Sequence, residues 1–303
     1  MKKLFLVDAY ALIFKYYYAF LGRPMRNREG MNTSVVFGFV KFLRDIQKRE
    51  RPDLLGVAFD PKGGSFRRDI FPEYKANRSE TPEDILLSIP YVKRVLDAMC
   101  IPILEVAGYE ADDVIGTLAT EAGRQGITTY MMTPDKDYGQ LVTDNVFMYR
   151  PKHTGGFEVM GIEEVKAKFD IQSPAQVIDM LGLMGDASDN IPGCPGVGEK
   201  TAQKLIAEFG SIENLLEHTD QLKGALKTKV ETNKELITFS KFLATIKIDV
   251  PIQLEMDKLV REQADEDSLR QIFEELEFRT LIDRVLKKEN SCLLYTSDAA
   301  DEL

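Results

Sequence analysis

Three times in this chain a short apolar run is closed by aspartate. Leu4-Phe5-Leu6-Val7 ends at Asp8, and Leu54-Leu55-Gly56-Val57-Ala58-Phe59 ends at Asp60. A strand-like run over 127–132 leads into Thr133-Pro134-Asp135-Lys136-Asp137. Apolar runs without polar alternation mark strands buried on both faces, the kind found in parallel sheets covered by helices. Helical periodicity fills the gaps. Residues 9–20 are rich in Tyr and Phe, 31–48 carry Val36, Phe39, Val40 and Leu43 on one face, and 82–99 turn Ile85, Ile89, Val92 and Leu96 inward. Further strands are expected over 101–105, 146–149 and 157–160, the last two joined by a turn at Gly155-Gly156. The fold class is therefore α/β, with a mostly parallel central sheet and flanking helices. In such open sheets ligands bind beyond the carboxyl ends of the strands, where Asp8 and Asp60 would converge. Taken singly, each Asp is equally well explained as a helix cap or turn former.

Gly108-Tyr109-Glu110-Ala111-Asp112-Asp113 places three carboxylates within four residues, directly before the helical run Val114-Ile115-Gly116-Thr117-Leu118-Ala119. Glu110 and Asp113, three apart, share a helix face. Like charges this close resist ionising together unless a cation joins them. Acids in a first helical turn also complement the dipole, which accounts for them without a ligand. The recurrence of Asp pairs at other element ends favours the cation.

The 303 residues are 44% hydrophobic, enough for one large domain or two smaller ones. The formal net charge is −10, whereas a nucleic-acid binder is usually basic. A cluster of metal-binding acids would account for much of that excess. Cys100, Cys194 and Cys292 lie far apart and form no CxxC, as expected of free thiols in a reducing compartment. With only His153 and His218, zinc sites and histidine-based triads are disfavoured. Asp8 interrupts the N-terminal apolar run, and no run approaches the ~20 apolar residues of a membrane span. The expectation is a cytoplasmic protein.

Residues 61–81 interleave Lys62, Arg67, Arg68, Lys75 and Arg78 with Phe66, Phe71 and Tyr74. That mixture suits a phosphate backbone and stacked bases; the plain alternative is a solvated loop. From Ile162 onward the pattern is almost wholly helical, which implies a second subdomain. Its first helix, over 173–185, has Ser173 at the N-cap and Pro174 at the first position, and ends in Asp186-Ala187-Ser188-Asp189. Gly196-Val197-Gly198-Glu199-Lys200-Thr201 then opens a helix carrying Leu205, Ile206 and Phe209. Such a turn lets backbone N–H groups approach a phosphate at the positive end of a helix, with Lys200 and Lys204 adding charge. Further helices are expected over 214–250 and 262–286. Residues 290–303 lose all helical period and are read as a non-native or disordered tail.

Asp8, Asp60, Glu110, Asp112, Asp113, Asp135, Asp137, Asp186 and Asp189 all lie at element ends that this topology can gather at one edge. Oxygen ligands without His or Cys suit Mg²⁺ or Mn²⁺. Carboxylates around two such ions, about 3.5–4 Å apart, are the apparatus of in-line phosphodiester cleavage.

These residues also carry a resemblance. Phe-Arg-Arg at 66–68, Tyr-Lys-Ala-Asn-Arg at 74–78, Glu-Ala-Asp-Asp at 110–113 and Asp-Lys-Asp at 135–137 are its first four motifs. Gly-Asp-Ala-Ser-Asp-Asn-Ile-Pro-Gly at 185–193 and Gly-Val-Gly-Glu-Lys-Thr-Ala at 196–202 complete it. Together they resemble the 5′-nuclease domain of bacterial DNA polymerase I, of the flap endonuclease family, over residues 1 to about 289. The resemblance implies a PIN-like catalytic core over 1–170 with a helical arch at about 61–90. It also implies a helical subdomain over 171–289 with a helix–three-turn–helix. The implied activity is structure-specific 5′-3′ exonuclease and flap cleavage of DNA, serving primer removal and repair, with two Mg²⁺ (Mn²⁺ able to substitute).

By the same resemblance Asp8, Asp60, Glu110, Asp112 and Asp113 form the tighter metal site, and Asp135, Asp137, Asp186 and Asp189 the second. Lys75 and Arg78 act at the scissile phosphate beside Asp8, Asp60 and Asp113. Arg67, Arg68, Tyr74, Lys75, Arg78, Gly196, Gly198, Lys200, Thr201 and Lys204 contact DNA, with a K⁺ at the helix–three-turn–helix. The implied partner is DNA with a flap, nick or 5′-end junction, bound by a monomer near the nucleoid, with no membrane and no polymerase domain in this chain. Two other classes fit the same residues: a non-catalytic junction binder on this fold, and an RNA-directed carboxylate-cluster nuclease. Retention of all the acids disfavours the first, and the hairpin-bearing helical half disfavours the second.

Overall fold

A computed structural model describes residues 2–152 and 156–283. β1 (Lys3–Asp8) leads into α1 (Ala9–Ala19) and α2 (Ser34–Arg49), and β2 (Leu54–Ala58) into the short α3 (Phe66–Ile70) and α4 (Glu83–Ala98). β3 (Ile103–Leu104) precedes α5 (Ala111–Arg124); β4 (Thr128–Met132) passes through a 3₁₀ turn, Lys136–Leu141, to β5 (Val146–Pro151) and β6 (Phe157–Met160). The remainder is helical: α6 (Ile162–Phe169), α7 (Val177–Met184), α8 (Glu199–Phe209), α9 (Ile212–Glu217), α10 (Gly224–Thr232), α11 (Lys234–Ala244), α12 (Met256–Leu259) and α13 (Glu266–Glu275).

The six strands form one sheet in the order β3-β2-β1-β4-β5-β6. β1 runs parallel to β2 and β4, and β4 parallel to β5; only the β5–β6 pair is antiparallel among the pairings described. Leu4, Phe5, Leu6 and Val7 are fully buried, as is all of β2, which is why neither strand alternates with polar residues. Phe5 lies beside Tyr130 and Tyr130 beside Phe147 in the pairing. Their rings stack at 4.7 and 5.7 Å, side-chain pairs that support this register. Asp8 pairs with Ala58, and Val7 with Met132, so β1, β2 and β4 reach their carboxyl ends at one level. Because the chain steps from β1 to β2 and β3 on one side and then returns to lay β4 on the other side of β1, the crevice between β1 and β4 is a topological switch point.

The chain divides into two compact units. The first holds residues up to Ala11, Pro52–Glu80 and Leu104–Lys258, and so contains every acid named above. The boundary expected near 170 falls inside it. The second unit gathers Leu12–Arg51, Thr81–Ile103 and the segment from Leu259. Within it Arg94 makes a bidentate pair with Glu275, at 2.7 and 2.9 Å, joining α4 to α13. Asp265 N–H donates to Ala98 O at 2.8 Å. No described helix is long and apolar enough to cross a membrane.

The second half departs from expectation in detail. The single helix expected over 173–185 starts as a 3₁₀ turn, Pro174–Gln176, with Gln176 Oε1 accepting from Ser173 N–H at 3.2 Å. The long helix expected over 214–250 is broken into α9, a 3₁₀ turn (Thr219–Gln221), α10 and α11. Gly224 takes φ +57° where α10 begins, and Asn233 Nδ2 donates to Lys229 O where it ends. A short amide side chain bonding the backbone in this way competes with helix continuation. α11 packs closely on α7 because Gly182 has no side chain: a Cβ there would lie 2.7 Å from Ile212 and 2.9 Å from Lys241. Gly155, His153, Cys292 and the tail at 290–303 lie outside the described residues.

Candidate metal centre and nucleic-acid interface

Asp8 leaves the end of β1, with Oδ1 accepting from Ala11 N–H at 3.0 Å. Asp60 follows β2, and its Oδ1 accepts from Ala111 N–H at 2.7 Å, tying that strand end to the start of α5. Glu110 is the N-cap of α5 and donates its N–H to Asp113 Oδ2 at 3.2 Å. Glu110, Asp112 and Asp113 present oxygens within 4.8 Å of one another, a spacing that could hold an ion. Burial, then the charge of Asp60, pushes Asp8 up to about 7. Burial, then Asp113 and Glu110, holds Asp112 well above the usual carboxylate range.

Asp113 belongs to this group by distance but spends both oxygens elsewhere. Arg67 donates to Oδ2 and Oδ1, each at 2.8 Å, and Lys247 N–H donates to Oδ1 at 2.8 Å. Arg67 also reaches Glu110 Oε2 at 3.2 Å, Leu243 O at 3.0 Å and Thr245 O at 2.7 Å. Asp112 Oδ1 accepts from Asp113 N–H at 2.7 Å and Glu110 Oε1 from Lys75 at 2.7 Å, so the oxygen of this group most open to a cation is Asp112 Oδ2, with Asp113 as its buttress.

The second group draws on two parts of the chain. Asp135 caps the 3₁₀ turn after β4, its Oδ1 accepting from Asp137 N–H at 3.0 Å. Asp186 Oδ1 accepts from Ser188 N–H at 2.7 Å. Asp137 Oδ1 is buried and accepts no hydrogen bond. A buried carboxylate oxygen without a donor, beside other acids, is what a bound cation would complete. Burial, then Asp135, pushes Asp137 up to about 7. Asp189 differs: burial alone would raise it, but Lys75 and Arg78 together outweigh burial and hold it below the usual range.

These shifts set a pH dependence. Asp8 and Asp137 hold their protons to about pH 7 in the fold but only to 3.8 when unperturbed. The folded chain therefore binds more protons than the unfolded one across that window, and these two groups lower stability as pH rises from about 4 to about 7. Thermal unfolding in chelator should show this as a falling Tm. Asp137→Asn should flatten the slope; an unchanged slope would contradict the assignment.

Cationic side chains from residues 74–78 lie on both groups. Lys75 Nζ is 2.7 Å from Glu110 Oε1 and 3.6 Å from Asp189 Oδ2. Arg78 donates to Asp189 Oδ1 at 2.5 Å. Lys75 takes φ +57°, held there by its N–H donating to Asp189 O at 2.9 Å. Asn77 Nδ2 donates to Ala187 O at 2.6 Å, and Asn190 Nδ2 to Glu73 O at 2.7 Å. The two Asn stitch the turn to the 187–190 loop. Sequence reading missed both, and also Lys136, whose ammonium contacts Asp186. The Asp-Lys-Asp spacing was the one available signal for Lys136.

Two expected DNA contacts are corrected. Arg67 is 1% exposed with its donors spent internally, so it has none to offer a phosphate. Tyr74 is 3% exposed, its hydroxyl 3.0 Å from Glu110 Oε2 and 3.1 Å from Asp189 Oδ2, so its ring has no free face for a base. Arg68 and Arg78 are exposed. So are Gly196, Gly198, Lys200 and Lys204, with Thr201 half-buried, where the hairpin opens α8. The 61–90 stretch expected to form the arch holds α3, a series of turns and the first two turns of α4.

Comparison with known proteins gives the family and the fold. Residues 3–170 match the model of the 5′-3′ exonuclease N-terminal resolvase-like domain, and 172–267 that of the 5′-3′ exonuclease C-terminal SAM fold. DNA polymerase I of Bacillus subtilis is 42% identical over 287 residues, covering 94% of this chain and 32% of that protein. DNA polymerase I of Chloroflexus aurantiacus is 40% identical over 278 residues, covering 91% and 29%. The chain thus spans about a third of the length of these relatives. Among solved structures, zinc-bound T5 5′-exonuclease superposes with TM-score 0.69 at 21% identity, covering 90% of this chain and 99% of that one. The catalytic core of Rad2 with DNA substrate gives 0.63 at 18% identity, covering 97% and 92%. These two share the fold. With both family models matched in sequence order over most of its length, the chain belongs to the 5′-3′ exonuclease family.

Proposed function

We propose that the chain hydrolyses DNA phosphodiester bonds near 5′ ends and junctions, and that its two acid groups each hold a divalent ion. The observation that carries this is the pair of groups meeting at the switch point, one with a buried Asp137 oxygen that accepts no hydrogen bond and both flanked by Lys75 and Arg78. Asp8, Asp60, Glu110 and Asp112, backed by Asp113, would hold one ion; Asp135, Asp137, Asp186 and Asp189 the other. Mg²⁺ would suit this all-oxygen set, Mn²⁺ could replace it, and bound ions would supply an activated water and charge stabilisation for the leaving oxygen. Lys75, 18% exposed at its side chain, offers a fixed positive charge to the phosphate as the bond breaks. Burial alone would make Lys75 easier to deprotonate, but Glu110 and Asp189 outweigh burial and keep it charged. Its role is therefore electrostatic rather than that of a base.

Residues 171–289 form the DNA-holding half in this reading, with Gly198 at the start of α8 giving the backbone access to a duplex phosphate and a K⁺ at the same hairpin. Gly198 has φ −98°, and a Cβ there would meet nothing within 4 Å. Neither its conformation nor its packing closes off the backbone there, so the start of α8 is open to a phosphate approaching from outside. The zinc ions in T5 5′-exonuclease and the DNA bound to Rad2 support the same reading. So does T5 D15 flap endonuclease in complex with DNA and metal ions. Cleavage of a DNA flap, a nicked duplex and an RNA hairpin, with Mg²⁺, with Mn²⁺ and in chelator, tests it. Metal-dependent cutting of the DNA substrates and none in chelator is expected. Full cleavage in excess chelator would overturn the reading, and binding without cleavage would leave a junction binder.

A further inference from the structure

We propose that Lys136 is a built-in counter-cation of the second acid group, which a divalent ion must displace in order to bind, so that Lys136 sets the affinity of that group for metal. The inference rests on the reading of Asp135, Asp137, Asp186 and Asp189 as an ion site. Lys136 Nζ contacts Asp186 Oδ2 and lies 3.5 Å from Asp137 Oδ1. That Asp137 oxygen is the buried acceptor without a hydrogen bond. The ammonium therefore stands between two carboxylates supplied by distant parts of the chain, against oxygens that an ion would take. Mg²⁺ demands its oxygens at about 2.0–2.1 Å in near-octahedral order. An ammonium and an ion cannot both occupy them, so binding is an exchange.

The exchange leaves two of the four acids held as they are: Asp135 Oδ1 accepts from Asp137 N–H, and Asp186 Oδ1 from Ser188 N–H, fixing the Asp135 and Asp186 carboxylates independently of the lysine. The Lys136 side chain is 35% exposed, so its flexible stem can carry the ammonium out to solvent. Lys75 is placed differently: it bridges Glu110 and Asp189 from the 74–78 turn and leaves Asp186 and Asp137 to Lys136. An opposite charge at this range changes a carboxylate's affinity for a proton by about tenfold or more. A divalent ion should respond at least as strongly.

Calorimetric titration of the DNA-free protein with Mn²⁺ tests the proposal on the native chain, Asp186→Asn, Lys136→Met and Lys136→Arg. Asp186→Asn should lose one class of bound ion. Lys136→Met should bind that class about tenfold more tightly, while Lys136→Arg, which keeps the charge, should bind no tighter than native. In parallel, Mg²⁺ should raise the labelling of native Lys136 by an amine-reactive reagent severalfold, read by mass spectrometry. If Asp186→Asn keeps both classes, the ion-site reading itself falls. If it loses one, but Lys136→Met binds no tighter and labelling of Lys136 ignores Mg²⁺, the ion site stands and the counter-cation role is overturned. The labelling arm decides the matter on the native chain should Lys136→Met fail to fold.

Discussion

Arg67→Met is expected to destabilise the fold by about 3–5 kcal/mol, the usual result of removing one partner from a buried ion pair. Asp113 would be left fully buried with only the N–H groups of Lys247 and Glu110 to meet its charge. The carbonyls of Leu243 and Thr245 would lose their donor as well, loosening the segment after α11. Arg67→Lys should recover little, because an ammonium cannot reproduce a fork that bonds both oxygens of one carboxylate and two carbonyls. Replacing both partners, Arg67→Met with Asp113→Leu, should cost less than the sum of the single changes, since no uncompensated charge remains. Chemical denaturation of the four variants measures this. A loss below about 1 kcal/mol for Arg67→Met would show the pair to be dispensable.

Lys75→Ala is expected to slow single-turnover cleavage by about 10²–10³, the effect of removing one preorganised electrostatic contact, with a much smaller change in DNA affinity. The ammonium is pre-positioned: the left-handed backbone at Lys75 is pinned by Asp189 O, and the side chain points onto Glu110. Gly198→Val should do the reverse, weakening binding and sparing the saturated rate. The open space at Gly198 suits it as a test, because a Cβ there meets nothing within 4 Å of the chain. The two separate on a plot of single-turnover rate against enzyme concentration. A change of affinity alone for Lys75→Ala, or of saturated rate alone for Gly198→Val, would reverse the assignment of chemistry and anchoring.

The contrast between Arg67 and Arg68 shows how far sequence reasoning reaches here. The strands were legible because burial on both faces writes itself as unbroken apolar runs, and Asp8, Asp60 and Asp135 because each directly follows one. Arg67 and Arg68 are adjacent in one basic, aromatic stretch, yet one is buried and the other exposed. What separates them is the direction α3 gives each side chain, and the carboxylate and carbonyls waiting at Asp113, Leu243 and Thr245. No local pattern encodes partners that distant. Tyr74 was misplaced for the same reason. The breaks within 214–250 were hidden because apolar periodicity continues across Gly224 and Asn233. The interleaving of 12–51 with 81–103 in one unit is a matter of tertiary contact that periodicity does not register.

Asp135 and Asp137 come from the segment matching one family model, Asp186 and Asp189 from the segment matching the next, and the turn at 73–78 is laced to the loop at 187–190 across that border. A crossover or truncation at residue 171 would divide a single constellation of charges, leaving each fragment with half of the acids and with its cross-border hydrogen bonds severed. The two family segments are thus not interchangeable modules. A change on either side of that border, at 73–78 or at 187–190, acts directly on the other.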